Sequence, residues 1–206
     1  MDMNYLRRRM FAEDNGGGGI PKIYTPVEYL EANGKQFLNT GFVPHLYTTD
    51  EMLIEFSVLS NKTMLIFGTD GYNIGATNII LQVPSVNYRI RCDMKNSSSF
   101  FGSVTSGQKC TFTYADRKAS CLGETFDTSA LTENNIKNLF LFSQGDAVSS
   151  SSMVGRIYRC TYKTGGELVL DLVPCYRNSD NTPGFYNLAN GEFITNGGTE
   201  PLIIPT

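Results

Sequence analysis

From residue 27 onward, apolar and polar positions alternate in short runs. Met52, Ile54, Phe56 and Val58 alternate with Leu53, Glu55 and Ser57, the period of two of a strand with one buried face. Cys110, Phe112 and Tyr114 alternate with Thr111 and Thr113, and Tyr88, Ile90 and Cys92 with Arg89 and Arg91. Met64 to Phe67, ended by Gly68, and Asn78 to Val83, ended by Pro84, are short apolar runs. Asn138 to Phe142 is continuous, the pattern of a strand buried on both faces. Ile157–Lys163 and Glu167–Val173 flank Gly165-Gly166, which predicts a two-residue hairpin turn. A regular hairpin there sets Cys160 opposite Asp171. It puts Tyr158, Cys160 and Tyr162 on one face, with Ile157, Arg159 and Thr161 on the other. Leu168, Leu170 and Leu172 then form an inner row. A further strand is predicted over Gln36 to Thr40, between Gly34 and Gly41. Asp70-Gly71, Ser106-Gly107 and Asn190-Gly191 read as turns, and the serine clusters Ser97–Ser99 and Ser149–Ser152 as exposed loop tips. The one helical candidate inside the domain, Ser129 to Lys137, has room for a turn or two. Many short strands with regular turns predict an all-β, two-sheet antiparallel sandwich.

The first 26 residues follow a different plan. Residues 1–15 are polar and basic, with an apolar seam of Tyr5, Leu6, Met10 and Phe11 around Arg7, Arg8 and Arg9. Gly16 to Gly19, with Pro21 and Pro26, form a hinge over residues 16–26 that lacks packing side chains. The expected organisation is a docking peptide (1–15), a hinge (16–26) and a sandwich domain (27–206). The seam is expected to bury on an assembly partner, with the three arginines meeting acidic groups.

Composition narrows the function. The 206 residues are 41% hydrophobic, enough for a real core, and the net charge is −3. No basic face marks a nucleic-acid binder. No apolar run is long enough to span a bilayer, and no membrane partner is expected. The N-terminus has basic residues without a following apolar stretch, so synthesis in a cytosol is expected. The five cysteines, Cys92, Cys110, Cys121, Cys160 and Cys175, are scattered and odd in number, unlike a disulfide framework or zinc site. In the regular hairpin, Cys175 lies roughly 13 Å along from the partner of Cys160. A disulfide tolerates Cα separations of only about 4.4–6.8 Å, so both thiols are expected to be reduced.

Catalytic patterns are weak. His45 is the single histidine and follows Pro44 in a loop-like stretch. No Gly-x-Ser-x-Gly elbow is present. Glu51, Glu55, Asp93, Asp116, Glu124 and Asp127 supply carboxylates, but spacing does not pair them as a glycosidase requires. Asp70 and Asp146 are isolated candidates for calcium ligation. Gly16 to Gly19 lacks the Lys-Ser/Thr of a phosphate loop. No catalytic residue, metal or cofactor is expected.

Two segments carry a more specific signal. The run Tyr29-Leu30-Glu31-Ala32-Asn33-Gly34-Lys35-Gln36-Phe37-Leu38-Asn39-Thr40-Gly41 resembles the opening of concanavalin A-like (laminin-G-type) domains of phage structural proteins and gut-bacterial surface proteins. Gly155-Arg156-Ile157-Tyr158-Arg159-Cys160, Leu168 through Cys175, Gly184 through Gly191, and Phe193 through Thr199 resemble the closing segments of the same domains. Leu170 stands where the pattern usually has Arg, and Asn187 where it has Asp. The resemblance implies a concanavalin A-like jelly-roll sandwich behind a short N-terminal tether. It also implies sugar or host-surface binding in some members and a structural role in others, without an agreed set of binding residues. The final segment is expected to return so that both ends of the domain meet on one sheet.

The functional expectation is a non-enzymatic virion component (fibre, decoration or tail-associated) that displays a sandwich able to bind host-surface glycans. Such a protein is made in the host cytoplasm and released. By analogy with virion appendages, which are often trimeric, a homo-oligomer is expected. A carbohydrate-binding surface module of a gut bacterium is the alternative, followed by a glycoside hydrolase. Candidate ligand residues are Tyr72, Asn73, Asn87 and Tyr88, whose rings would stack on sugars while their amides orient hydroxyls. Arg89 and Arg91 are added as options for an acidic sugar.

Overall fold

The computed structural model describes residues 19–60, 62–69, 79–83, 89–94, 97–128 and 137–205. The docking peptide, the stretch 129–136, and Asp70, Tyr72, Asn73, Asn87 and Tyr88 lie outside the described residues. The strands are β1 (Tyr24–Pro26), β2 (Leu30–Asn33), β3 (Leu38–Asn39), β4 (Glu51–Val58), β5 (Met64–Thr69), β6 (Ile79–Val83), β7 (Arg89–Met94) and β8 (Ser97–Ser103). They continue as β9 (Cys110–Ala115), β10 (Lys118–Cys121), β11 (Glu124–Asp127), β12 (Leu139–Leu141), β13 (Val154–Thr164), β14 (Glu167–Arg177), β15 (Thr182–Asn187) and β16 (Phe193–Thr195).

They form two antiparallel sheets. The ten-stranded sheet runs β11-β10-β9-β4-β13-β14-β15-β16, with β1 beside β14 and β2 beside β13. The six-stranded sheet runs β3-β12-β5-β6-β7-β8. Inward-facing side chains of both sheets make the core. Phe112 of the large sheet meets Phe67 and Phe101 of the small one, at centroid distances of 5.3 and 6.3 Å. The alternating residues of β4 and β9 are buried as expected, and Leu139 to Leu141 are buried throughout.

The Gly165-Gly166 turn forms with both glycines at positive φ, 57° and 85°. Beyond it the register departs from a regular hairpin. Lys163 pairs with Leu168 but Tyr162 pairs with Leu170, so Val169 is an extra residue. The bulge turns Val169 toward the core in place of Leu168 and sets Cys160 opposite Leu172 instead of Asp171. A second bulge lies in β13, where Ile157 pairs with Phe56 and Arg159 with Glu55. It puts Ile157 on the core side with Cys160 and Tyr162, and leaves Tyr158 outside the core cluster. These two corrections share one cause: an inserted residue reverses the inside–outside parity beyond it.

Three smaller differences concern loops. Ser97–Ser99 lie in β8, paired with Met94, Asp93 and Cys92. Ser152 is fully buried and caps its own loop by accepting from the Ser149 N–H. The strand expected over Gln36 to Thr40 shortens to Leu38–Asn39, because Gln36 turns inward. Its Oε1 accepts from the Asn33 and Lys35 N–H groups, and its Nε2 donates to the Pro201 carbonyl.

The chain ends meet as expected. Glu31 bridges Ile203, and the Tyr24 ring lies 5.2 Å from Tyr186 and 4.7 Å from Phe193. Gly198 permits this closure: a Cβ there would sit 2.2 Å from the Lys35 carbonyl oxygen.

Candidate functional site

Among the described residues, the outer face of the small sheet carries the most exposed aromatic–cation cluster. In β7, Ile90 and Cys92 point into the core, so Arg89, Arg91 and Asp93 point out. In β8, Phe101 is buried, so the neighbouring Phe100 points out and lies directly opposite Arg91. Phe100 remains 41% exposed. The Arg89 and Arg91 guanidinium carbons lie 4.8 and 5.6 Å from its centroid. On β6, Gln82 projects outward between buried Leu81 and Val83.

Asp93 organises this face. Arg91 donates from Nε at 2.9 Å to Asp93 Oδ1, and its terminal nitrogen lies 2.7 Å from the same oxygen. Gln82 donates from Nε2 at 2.6 Å to Asp93 Oδ2. Arg91 is therefore fixed and neutralised. Among the described residues Arg89 has no carboxylate partner, and it is exposed. Both arginines singled out in the sequence thus meet at one exposed ring. Phe100 was missed, because the serine run before it reads as a loop. The signal available was the cross-strand position of a Phe-Phe pair beside an Arg-x-Arg strand.

The outer face of the large sheet carries aromatic and charged groups that satisfy one another. Arg156 lies 4.4 Å from the Tyr29 centroid and is bound to Glu31 at 2.7 Å. Lys109 lies 4.6 Å from the Tyr158 centroid and 3.2 Å from Glu55. Arg177 lies 5.7 Å from Phe193 and pairs with Asp180.

His45 belongs to a structural knot. It stacks on Tyr47 at 5.3 Å, and its Nδ1 is buried. The buried Asp50 carboxylate accepts from the Tyr47 N–H at 2.8 Å and the Tyr162 O–H at 2.6 Å. Tyr162 also accepts from the Leu46 N–H, and Tyr114 donates to the Leu46 carbonyl. Burial, and then the bond to Asp50, push the Tyr162 hydroxyl well above its ordinary value.

The five cysteines are free and buried. Desolvation pushes Cys110 to about 11 and both Cys121 and Cys175 to about 12, and it raises Cys92 and Cys160 as well. A thiol held protonated is a poor nucleophile. Among the described residues no cluster of His, Cys, Asp or Glu is arranged to hold a metal ion. Asp146 is exposed.

A heptameric SAP-like pentraxin from Limulus polyphemus superposes with a TM-score of 0.52 at 10% identity, covering 85% of this chain and 93% of the pentraxin. The fold is a concanavalin A-like jelly roll. Domains LG4–5 of the mouse laminin α1 chain align over 92% of this chain and 79% of their own length, with a TM-score of 0.40 and 8% identity. A Trypanosoma rangeli sialidase in complex with sialic acid aligns at 14% identity and a TM-score of 0.41, covering 55% of this chain and 20% of the sialidase. No family model matches the sequence, and comparison with curated proteins finds no relative.

Proposed function

We propose that this chain is a non-enzymatic saccharide-binding module that presents the outer face of its small sheet to a surface glycan. One observation carries the reading: Phe100 stands exposed on that face between Arg89 and Arg91, with the Gln82 amide and the Asp93 carboxylate beside them. An aromatic ring takes the apolar face of a sugar, and surrounding fixed polar groups orient its hydroxyls. The docking peptide and glycine hinge support the finer reading of a virion appendage, joined to other virion proteins through Tyr5, Leu6, Met10 and Phe11. In that setting the domain is displayed as an oligomer. A glycan array tests the binding. The native chain should give a signal that Phe100→Ala lowers at least tenfold without changing the melting temperature. An undiminished signal from Phe100→Ala dismisses the site. Release of reducing ends from a bound polysaccharide dismisses the non-enzymatic reading.

A further inference from the structure

We propose that the saccharide held at this face carries a carboxylate, that Arg89 is the residue reading it, and that Asp93 restricts the site to one such group. The inference rests on the reading of the small-sheet face as a saccharide site and adds the chemical class of the ligand. Among the described residues, cations lie over aromatic rings at Arg89, Arg91, Lys109, Arg156 and Arg177. Arg91 is held by Asp93, Lys109 by Glu55, Arg156 by Glu31 and Arg177 by Asp180. Of the five, only Arg89 lacks a carboxylate partner among the described residues, and it stands beside the exposed Phe100. The self-neutralised cations tie the structure together, whereas Arg89 is exposed and its donor fork meets no carboxylate among the described residues.

A guanidinium presents parallel N–H groups that match the two oxygens of a carboxylate, so it discriminates a carboxylate from a hydroxyl. A sugar stacked on Phe100 would bring a carboxylate on its ring within reach of a guanidinium centred 4.8 Å from the ring centroid. Asp93 sets the limit. It cancels Arg91, and its second oxygen is occupied by Gln82, so among the described residues the face offers one uncompensated positive charge, at Arg89. A second anionic group placed at Arg91 would meet Asp93 and be repelled.

The test is an array of oligosaccharides in matched pairs, each hexuronate or sialic acid member beside its carboxyl-reduced counterpart, with sulfated sugars and a polyglutamate peptide added. The native chain is expected to bind acidic members about tenfold more tightly than reduced ones. Arg89→Gln should erase that preference. Asp93→Asn should raise binding of oligomers with adjacent carboxylates several-fold by freeing Arg91. Equal binding of both members of each pair overturns the inference and leaves the saccharide site standing. Sulfated sugars or polyglutamate bound as tightly as the carboxylated members also overturn it. Absence of binding to every sugar overturns both readings.

Discussion

Arg159 and Asp171 form a buried ion pair where β13 and β14 part. Arg159 donates from Nε and a terminal nitrogen to Asp171 Oδ1 at 3.2 and 3.0 Å, and from that terminal nitrogen to Oδ2 at 3.2 Å. Asp171 is fully buried, and Arg159 is 8% exposed. The β13–β14 pairing stops at Cys160 and Leu172, and beyond that point β2 and β1 fill the fork. Removing one partner leaves an uncompensated buried charge, at a cost of about 3–5 kcal/mol. Asp171→Ala should therefore lower the urea midpoint sharply. Replacing both residues by apolar ones of similar volume should cost much less. Equal losses for the single and double variants would count against the pair as described.

The Gly165-Gly166 turn tests the hairpin. Both residues need positive φ, which costs an ordinary residue about 1–2 kcal/mol. Gly166→Val should destabilise by that amount in equilibrium unfolding, whereas Gly165→Asn should be nearly neutral. Equal effects would mean that the turn adopts another type.

The buried thiols predict a pH dependence. Their native values lie above the ordinary 9.0, so the native state holds protons that the unfolded state releases. The corresponding stability is present below about pH 9 and is lost as pH rises toward 11–12. The urea midpoint should fall across that window, and Cys110→Val should flatten the fall. In native protein at pH 8, iodoacetamide should leave the thiols unlabelled. In urea without reductant it should label all five cysteines. A surviving Cys160–Cys175 bridge would contradict the hairpin register.

The tether gives a prediction about assembly. Deleting residues 1–19 should leave the melting temperature of the domain unchanged and abolish its incorporation into particles. Retained incorporation would remove residues 1–15 as the docking peptide.

The sandwich was largely legible, because strands with one buried face print their parity on the sequence, as at Met52, Ile54, Phe56 and Val58 or at Cys110, Phe112 and Tyr114. Bulges were not legible. An extra residue such as Val169 or Tyr158 looks like any other in a period-two pattern, yet it reverses which neighbours face inward. The Asp50 knot was hidden for another reason: Leu46 and Asp50 are joined there by Tyr114 and Tyr162, which come from distant parts of the chain. Half of the candidate site was legible, in Arg89 and Arg91, since an Arg-x-Arg alternation on a half-buried strand puts both on its polar face. Phe100 and Asp93 were not, because their contribution depends on cross-strand register and ion pairing.

The most direct test of the central claim is an amide chemical-shift titration of isotope-labelled protein with an array-selected oligosaccharide. The account predicts shifts concentrated on β6, β7 and β8, strongest around Arg89, Arg91 and Phe100. Saturable shifts confined to β13, β14 and β15 of the large sheet would contradict it.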